Sequence, residues 1–375
     1  MKSASAWRRL CCGRAGFVAF LLVAASASFV GAGCAGGGDR SASIIPADFG
    51  ARVPRRPVAT YSIVARDAKT GQFGVAVQSH WFSVGTAVPW AQAGVGAVAT
   101  QSLVEVSYGP LGLELMAGGK TAGQALDALM TVDPGVEYRQ VAMVDAAGNV
   151  AAHTGSLCIA HAGHHTGKTP DGTVYSVQAN LMGPSTVPAA MAQAFEAATG
   201  DLADRLLVAL EAAQREGGDI RGRQSAAILV VAAEPTGSPA SDRLVDLRIE
   251  DNPEPIVEMR RLLTLHTAYA HMNAGDLAIE KGDTDGALRE YSAAMKLAPT
   301  VAEMHFWTGV SLASAGMVEE ALPHLAIAYK DAKGDWRETL RRLPAAKLLP
   351  DDPALLARLL AAGEPATAGA DDSNP

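Results

Sequence analysis

With 375 residues, 49% of them apolar and 19% charged, the chain is long enough for two ordinary cores and too apolar to be disordered outside its ends. A formal net charge of -8 and a pI near 5.6 exclude a general nucleic-acid binder, because phosphate contacts need clustered Lys and Arg and no such stripe follows the N-terminus.

The N-terminus reads as a secretory signal: Lys2, Arg8, Arg9 and Arg14 precede an apolar run from Phe17 to Val30 that is short for a membrane span. Val30-Gly31-Ala32-Gly33-Cys34 then places small residues before a cysteine, as in the lipobox at which a lipid is added to the Cys. Gly31 stands where Leu is usual, so plain secretion and an uncleaved anchor remain alternatives to a lipid on Cys34. Cys11 and Cys12 lie in the signal, which leaves Cys158 alone in the folded part and no internal disulfide in the mature chain. A Gly-, Pro-, Ser- and Arg-rich stretch follows as a flexible tether.

From Thr60 the pattern becomes that of strands. Tyr61, Ile63 and Ala65 alternate with Thr60, Ser62 and Val64, a turn is expected over Asp67 to Gly71, and Phe73 to Ser79 returns as the partner strand of a hairpin. Gly94 to Gln101, Tyr138 to Asp145 and Val150 to His153 are further strands. Thr121 and Asp201 are N-caps of helices, the second ending before Gly217-Gly218, and another helix is expected over Pro188 to Ala198. HAGHH, around His164, reads as a loop. Ser225 to Ala233 and Leu244 to Ile249 restore strand character, and this order of strands, helices and strands favours a layered α+β arrangement.

After Pro255 the sequence is helical almost to its end. Gly275, Gly282, Ala287 and Ala294 recur as Gly309, Gly316, Ala321 and Ala328, each pair 34 positions apart (309 minus 275, and so on). That period with small residues matches a tetratricopeptide pattern, with Tyr291 and Leu325 at the large apolar position. The helix after Pro255 and the segment Asp335 to Leu360 are expected to cap the stack. Its groove is expected to bind a protein or peptide, with His271, His305 and His324 among its larger residues and Trp307 more suited to the core.

The ordered stretches TYSIVARDAKTGQFGVAVQSHWFSVGTAVPWAQAGVGAVATQS, SYGPLGLELM, AAHTGSLC, AGHHTG, YSVQAN, GGDIRGRQSAAILVV and DRLVDLRIEDNPEPI resemble the bacterial and archaeal family called domain of unknown function 1028. The resemblance implies a four-layer αββα sandwich of the Ntn-hydrolase kind, here followed by an all-α helical-repeat domain. The expected division is 1–33 signal peptide, 34–57 tether, 58–267 Ntn-hydrolase-like domain, 268–362 repeats with a capping helix, and 363–375 disordered tail.

In Ntn hydrolases the first residue of the mature chain attacks an acyl carbon and its own α-amine takes the side-chain proton. An α-amine titrates at about 7.7–8.0, so much of it is free base near neutrality. Thr60 occupies that place, provided the Ala59-Thr60 bond is cut, because an amide nitrogen is no base. The plain alternative is a β-branched residue opening a strand, and Ser62 is a reserve nucleophile on the same face. The resemblance brings Asn180 forward as an oxyanion donor through its side-chain amide, with Gln101 or Ser102 nearby. His153 is a further catalytic candidate, and His164 and Arg223 are substrate-binding candidates.

His80 and His165 stand where a basic residue is expected. The histidine spacing fits no familiar metal site, and the Gly-rich stretches lack the context of a nucleotide loop, so neither metal nor cofactor is expected. The dense charges Asp219, Arg221, Arg223, Asp242, Arg243, Asp246, Arg248 and Asp251 brace a sheet edge or, through Arg223, bind an anionic substrate. The partners expected are a protein or peptide at the repeats, a membrane through the Cys34 lipid, no nucleic acid, and a homo-oligomer as an open alternative.

Overall fold

The computed structural model describes residues 60–364. The expected signal peptide, Cys34, the expected tether and all but the first two residues of the expected disordered tail lie outside the described residues.

The chain is a mixed α+β structure with two antiparallel sheets and, among the described residues, ten α-helices. The expected hairpin forms as β1 (Thr60–Arg66) and β2 (Phe73–Ser79), in register from Thr60↔Ser79 to Arg66↔Phe73. Asp67 closes its turn by accepting from Thr70 N at 3.1 Å, and Gly71 takes the positive φ of 73° that the reversal requires.

Four strands of the second sheet follow in two hairpins: β3 (Pro89–Gln92) with β4 (Gly96–Ser102), and β5 (Arg139–Asp145) with β6 (Val150–Thr154), in the order β3-β4-β5-β6. Between them run α1 (Tyr108–Ala117) and α2 (Ala122–Val132). Thr121 and Gln124 make a reciprocal capping box at the start of α2.

The chain then returns to the first sheet through β7 (Gly163–Lys168) and β8 (Val174–Ala179). Next come α3 (Val187–Ala197), α4 (Leu202–Glu216), β9 (Ser225–Val231) and β10 (Arg243–Ile249). Its strand order is β10-β9-β2-β1-β8-β7.

Every residue of β2, β4, β5 and β9 is buried, since each of these strands has covering on both faces. Tyr61, Ile63 and Ala65 pack with Phe195, Leu206 and Leu210 of α3 and α4. Val64, Val75 and Val77 meet Ala97, Ala99, Ala142 and Val144 of the other sheet. Val98, Val141 and Met143 face outward onto Tyr108, Leu111, Leu126 and Leu129 of α1 and α2.

Three elements depart from the sequence reading. HAGHH is not a loop throughout, because His164 and His165 belong to β7, an exposed edge strand held by main-chain pairing to β8 rather than by an apolar pattern. β3 and α1 carried no periodic signal. Gly109 and Gly112 replace apolar residues in α1 because a Cβ on Gly109 would lie 2.3 Å from the Trp90 ring and one on Gly112 2.8 Å from Met143.

The boundary expected between 267 and 268 falls inside a single helix, α5 (Pro255–Glu280). Its first turns place Ile256, Met259 and Leu263 in the core of the six-stranded sheet, and its later turns place Ala268 and Met272 in a separate helical core. α6 (Thr284–Leu297), α7 (Ala302–Ser314), α8 (Val318–Ala328), α9 (Trp336–Arg342) and α10 (Pro353–Leu360) complete that core. Close approach of α5 to α6 and of α7 to α8 rests on equivalent glycines: a Cβ on Gly275 would meet the Tyr291 ring at 2.4 Å, and one on Gly309 would meet Leu325 at 2.7 Å. Among the described residues, no helix is long and apolar enough to cross a membrane.

Candidate functional site

The strand ends of both sheets bring a row of polar side chains to one end of the space between them. Thr60 opens β1 there, fully buried, and its hydroxyl donates to Ser79 Oγ at 3.3 Å. The Thr60 carbonyl accepts from Asn180 N at 3.0 Å and from Gln101 Nε2 at 3.3 Å. Ser79 stands opposite Ser225 of β9, whose hydroxyl receives Val84 N at 3.1 Å and donates to the Trp81 carbonyl.

Behind Thr60 the polar groups form one connected network. Ser62 donates to Gln101 Oε1 at 2.6 Å and accepts from Gln178 Nε2 at 2.6 Å, so the reserve nucleophile is locked between two amides. Gln101 Nε2 donates to Gln140 Oε1 at 2.7 Å across the adjoining strand. Gln140 Nε2 reaches Thr154 Oγ1 at 2.9 Å, the Ala179 carbonyl at 2.9 Å and the Gly163 carbonyl at 3.1 Å. Asn180 Nδ2 donates to Gln140 Oε1 at 2.9 Å. One of the two hydrogens of the amide expected to serve an oxyanion is thus engaged inside the network.

Of the other sequence candidates, His164 joins this network and His153 does not. His164 Nδ1 lies 2.8 Å from Thr154 Oγ1, and burial, followed by His153 and His165, holds its pKa below the ordinary histidine value. His153 stands opposite Val141, whose side chain packs in the outer α1–α2 layer, and its Nε2 lies 3.0 Å from the Val136 carbonyl. The alternation of β6 thus turns it away from Thr60, and Thr154 is the inward residue.

Arg223 is half-exposed and paired with Glu254, a surface contact on the anionic-substrate candidate. Ser102 ends β4 at φ 71°, with its hydroxyl beside the Cys158 thiol, whose pKa burial pushes up. In the helical region, His305 is buried, Nδ1 to Nδ1 with His324 at 3.2 Å, and Trp307 packs edge-on against Phe306. His305 is therefore a core residue rather than a groove residue.

Gln140, Gln178, Ser79 and Thr154 were not singled out from the sequence. A signal was present: glutamines close the otherwise apolar runs FGVAVQ, GAVATQ and VYSVQ, and the three strands bury them. A polar residue on a strand buried on both faces needs a partner, and Gln101 and Gln178 find theirs in Ser62 and Gln140, whereas the Gln78 side chain makes no hydrogen bond.

The rim around this end is strained and apolar. Ser83, Ser102 and Leu181 have positive φ, three of the four such non-glycine residues among those described; Ser102 and Leu181 directly follow Gln101 and Asn180, which bond the Thr60 carbonyl, and Ser83 lies on the loop after β2. Backbone strain of this kind persists where surrounding structure imposes it and clusters at working sites. Phe82 and Val106 are exposed on the loops that carry Ser83 and follow Ser102, and Leu157, Ile159 and Ile220 on the loops before β7 and before β9. Leu181 N donates to the Ile159 carbonyl at 2.9 Å and Ile220 N to the Leu181 carbonyl at 3.3 Å, which ties three of these loops together.

A family model, described as a family of unknown function (DUF1028), matches residues 60–259, from the first residue of β1 into α5. The chain belongs to this family. Its match excludes α6 to α10. A crystal structure of the DUF1028 protein SPO2555 from Silicibacter pomeroyi is 32% identical, with 56% of this chain and 86% of that one covered and a TM-score of 0.48. No curated protein matches the chain.

Proposed function

We propose that this DUF1028 member is an exported protein, made with a lipid on Cys34 and released from it by a cut before Thr60, in which a four-layer αββα Ntn-hydrolase-like domain hydrolyses an amide bond and a tetratricopeptide-like region recruits a protein or peptide. The observation that carries the catalytic reading is the position of Thr60. It is the first residue of β1, its hydroxyl lies on the face between the sheets, and a buried network stands behind it. The placement of α1 and α2 outside one sheet and of α3 and α4 outside the other supports the four-layer reading.

In the proposed chemistry, hydrolysis of Ala59-Thr60 frees the Thr60 amine. That amine takes the Oγ1 proton as Oγ1 attacks the substrate carbonyl, and the proton passes to the departing amine of the substrate. An acyl ester on Thr60 results, which water cleaves to a carboxylic acid and the restored hydroxyl. The exposed apolar rim of Phe82, Ile159 and Ile220 favours an amide with an apolar substituent. The basic N-terminal run and Cys34 support export and anchoring.

Intact mass and N-terminal sequencing of protein purified from its native host test this reading. A chain starting at Thr60 is expected, and Thr60→Ala is expected to abolish the cut. Retention of the Ala59-Thr60 bond in the working protein defeats the mechanism.

A second reading is a non-catalytic scaffold that works through its helices. It is favoured by a cleft of about 480 Å³ lined by Val301, Glu303, Ile327, Lys330 and Trp336. A lipidated chain starting at Cys34 with no further cut is its expected form.

A further inference from the structure

Asn180 carries a fully buried carbonyl oxygen, Oδ1, with no hydrogen-bond partner. Side-chain amide oxygen and nitrogen are told apart by their surroundings, and here the surroundings leave one assignment. Gln140 Nε2 faces the carbonyls of Gly163 and Ala179, which only accept, so that end must be the NH2 group. Gln101 Nε2 faces the carbonyls of Thr60 at 3.3 Å and Gln178 at 3.4 Å, and is fixed in the same way. Gln140 Oε1 is then an acceptor lying between Gln101 Nε2 and the Asn180 amide, and Asn180 must turn Nδ2 toward it. Reversing Asn180 would set two carbonyl oxygens against each other at 2.9 Å. Its Oδ1 is consequently held outward from the network as an acceptor in want of a donor.

The ladder says which donor is near. Asn180 N donates to the Thr60 carbonyl at 3.0 Å, one step beyond the Tyr61↔Ala179 pair. In an antiparallel ladder the N–H and C=O of one residue face the same neighbouring strand, so the Thr60 nitrogen also lies on the side of Asn180. Directly opposed residues share a face, with Cβ atoms about 4.5–5.5 Å apart. Asn180 therefore presents its unpaired oxygen on the face that carries the Thr60 hydroxyl.

We infer that Asn180 is a positioning residue whose Oδ1 accepts an N–H of the α-amine released at Thr60, fixing that amine beside the hydroxyl it deprotonates. The inference rests on the Ntn-type reading above and reverses the role first expected of Asn180, from oxyanion donor to amine acceptor. An acceptor on the charged form of an amine favours protonation, and its loss favours the free base.

The test is the pH dependence of trace acetylation of the Thr60 amine by acetic anhydride, read by mass spectrometry on the N-terminal peptide of the processed protein. Replacing Asn180 by Leu is expected to lower the titration midpoint and to raise the labelling rate at neutral pH several-fold. Asn180→Asp, which keeps the shape and places a carboxylate beside the amine, is expected to raise the midpoint, and it serves if the Leu variant does not fold. A merely structural role would change the melting temperature and leave the midpoint where it was. Midpoints that coincide in wild type and variants, in chains that are cut before Thr60, overturn the inference and leave the catalytic reading standing. Chains that are never cut overturn that reading, and the inference falls with it.

Discussion

The space between the sheets and the core of the helical region solve burial in opposite ways. Between the sheets, one end is apolar, with Val64, Val75, Val77 and Val144, while the other holds Ser62, Gln101, Gln140 and Gln178 in mutual hydrogen bonds. The helical core instead gains closeness by omitting atoms, with Gly275 under Tyr291 and Gly309 under Leu325. A polar interior is tolerated where each donor meets an acceptor, and a close-packed one where volume is matched. The first arrangement leaves an oriented, unpaired oxygen next to Thr60, which a purely apolar core would not provide.

The contrast is broken most severely at Gln140. Leu in its place removes the acceptor of Gln101 Nε2 and Asn180 Nδ2 and the donor to the Ala179 and Gly163 carbonyls. Stranding a buried polar group costs about 1–3 kcal/mol each, and partial relaxation suggests a total loss of about 3–5 kcal/mol. Urea unfolding with an unchanged slope would measure it, and a loss under 1 kcal/mol would mean the network is not a structural unit.

Gly275→Ala and Gly309→Ala sharpen the other side. Each gains about 1 kcal/mol of helix propensity, against about 1–3 kcal/mol for overpacking. The Tyr291 ring would be met at 2.4 Å and is pinned by its hydroxyl donating to Asp276 at 2.6 Å, whereas the approach at Gly309 is less close, 2.7 Å to Leu325 and 3.2 Å to the Ala321 carbonyl. Gly275→Ala is thus expected to be the more destabilising, by thermal melting.

The smallest effect concerns a contact that the helix pairs α5–α6 and α7–α8 share by position but not by chemistry. His271 faces Glu290 at 2.7 Å, and 34 residues on, His305 faces His324 at 3.2 Å. Burial, followed by the neighbouring His305, lowers the His324 pKa from the ordinary histidine value of 6.5. Above 6.5 both folded and unfolded forms are neutral and nothing is lost. Below it the unfolded chain binds the proton first, so stability falls as pH drops toward the folded value. His324→Glu copies the α5–α6 pair, and is expected to lessen the fall in melting temperature on acidification.

Much of the fold was legible locally. Alternation gave the Thr60–Ser79 hairpin, caps at Thr121 and Asp201 gave α2 and α4, and the 34-residue spacing of Gly275 and Gly309 marked two equivalent helix contacts. The edge strand β7 was not legible, because its pairing is made by main chain that every residue carries. Nor was α1, whose glycines serve Trp90 and Met143 rather than helix propensity. At the site, Thr60, Asn180, Gln101 and His164 were named and are brought together, while His153 faces the opposite layer and Arg223 pairs at the surface.

The sequence alone determined which segments are strands and helices over most of the described residues, and that Thr60 begins a strand, since these follow from periodicity and capping within a few residues. Tertiary structure decided which end of the Asn180 amide points at Thr60, because that direction is set by Gln140, whose own orientation depends on carbonyls contributed by residues 163 and 179. It also decided that one helix, α5, serves two cores, because burial is a property of what packs against a residue and not of the residue itself.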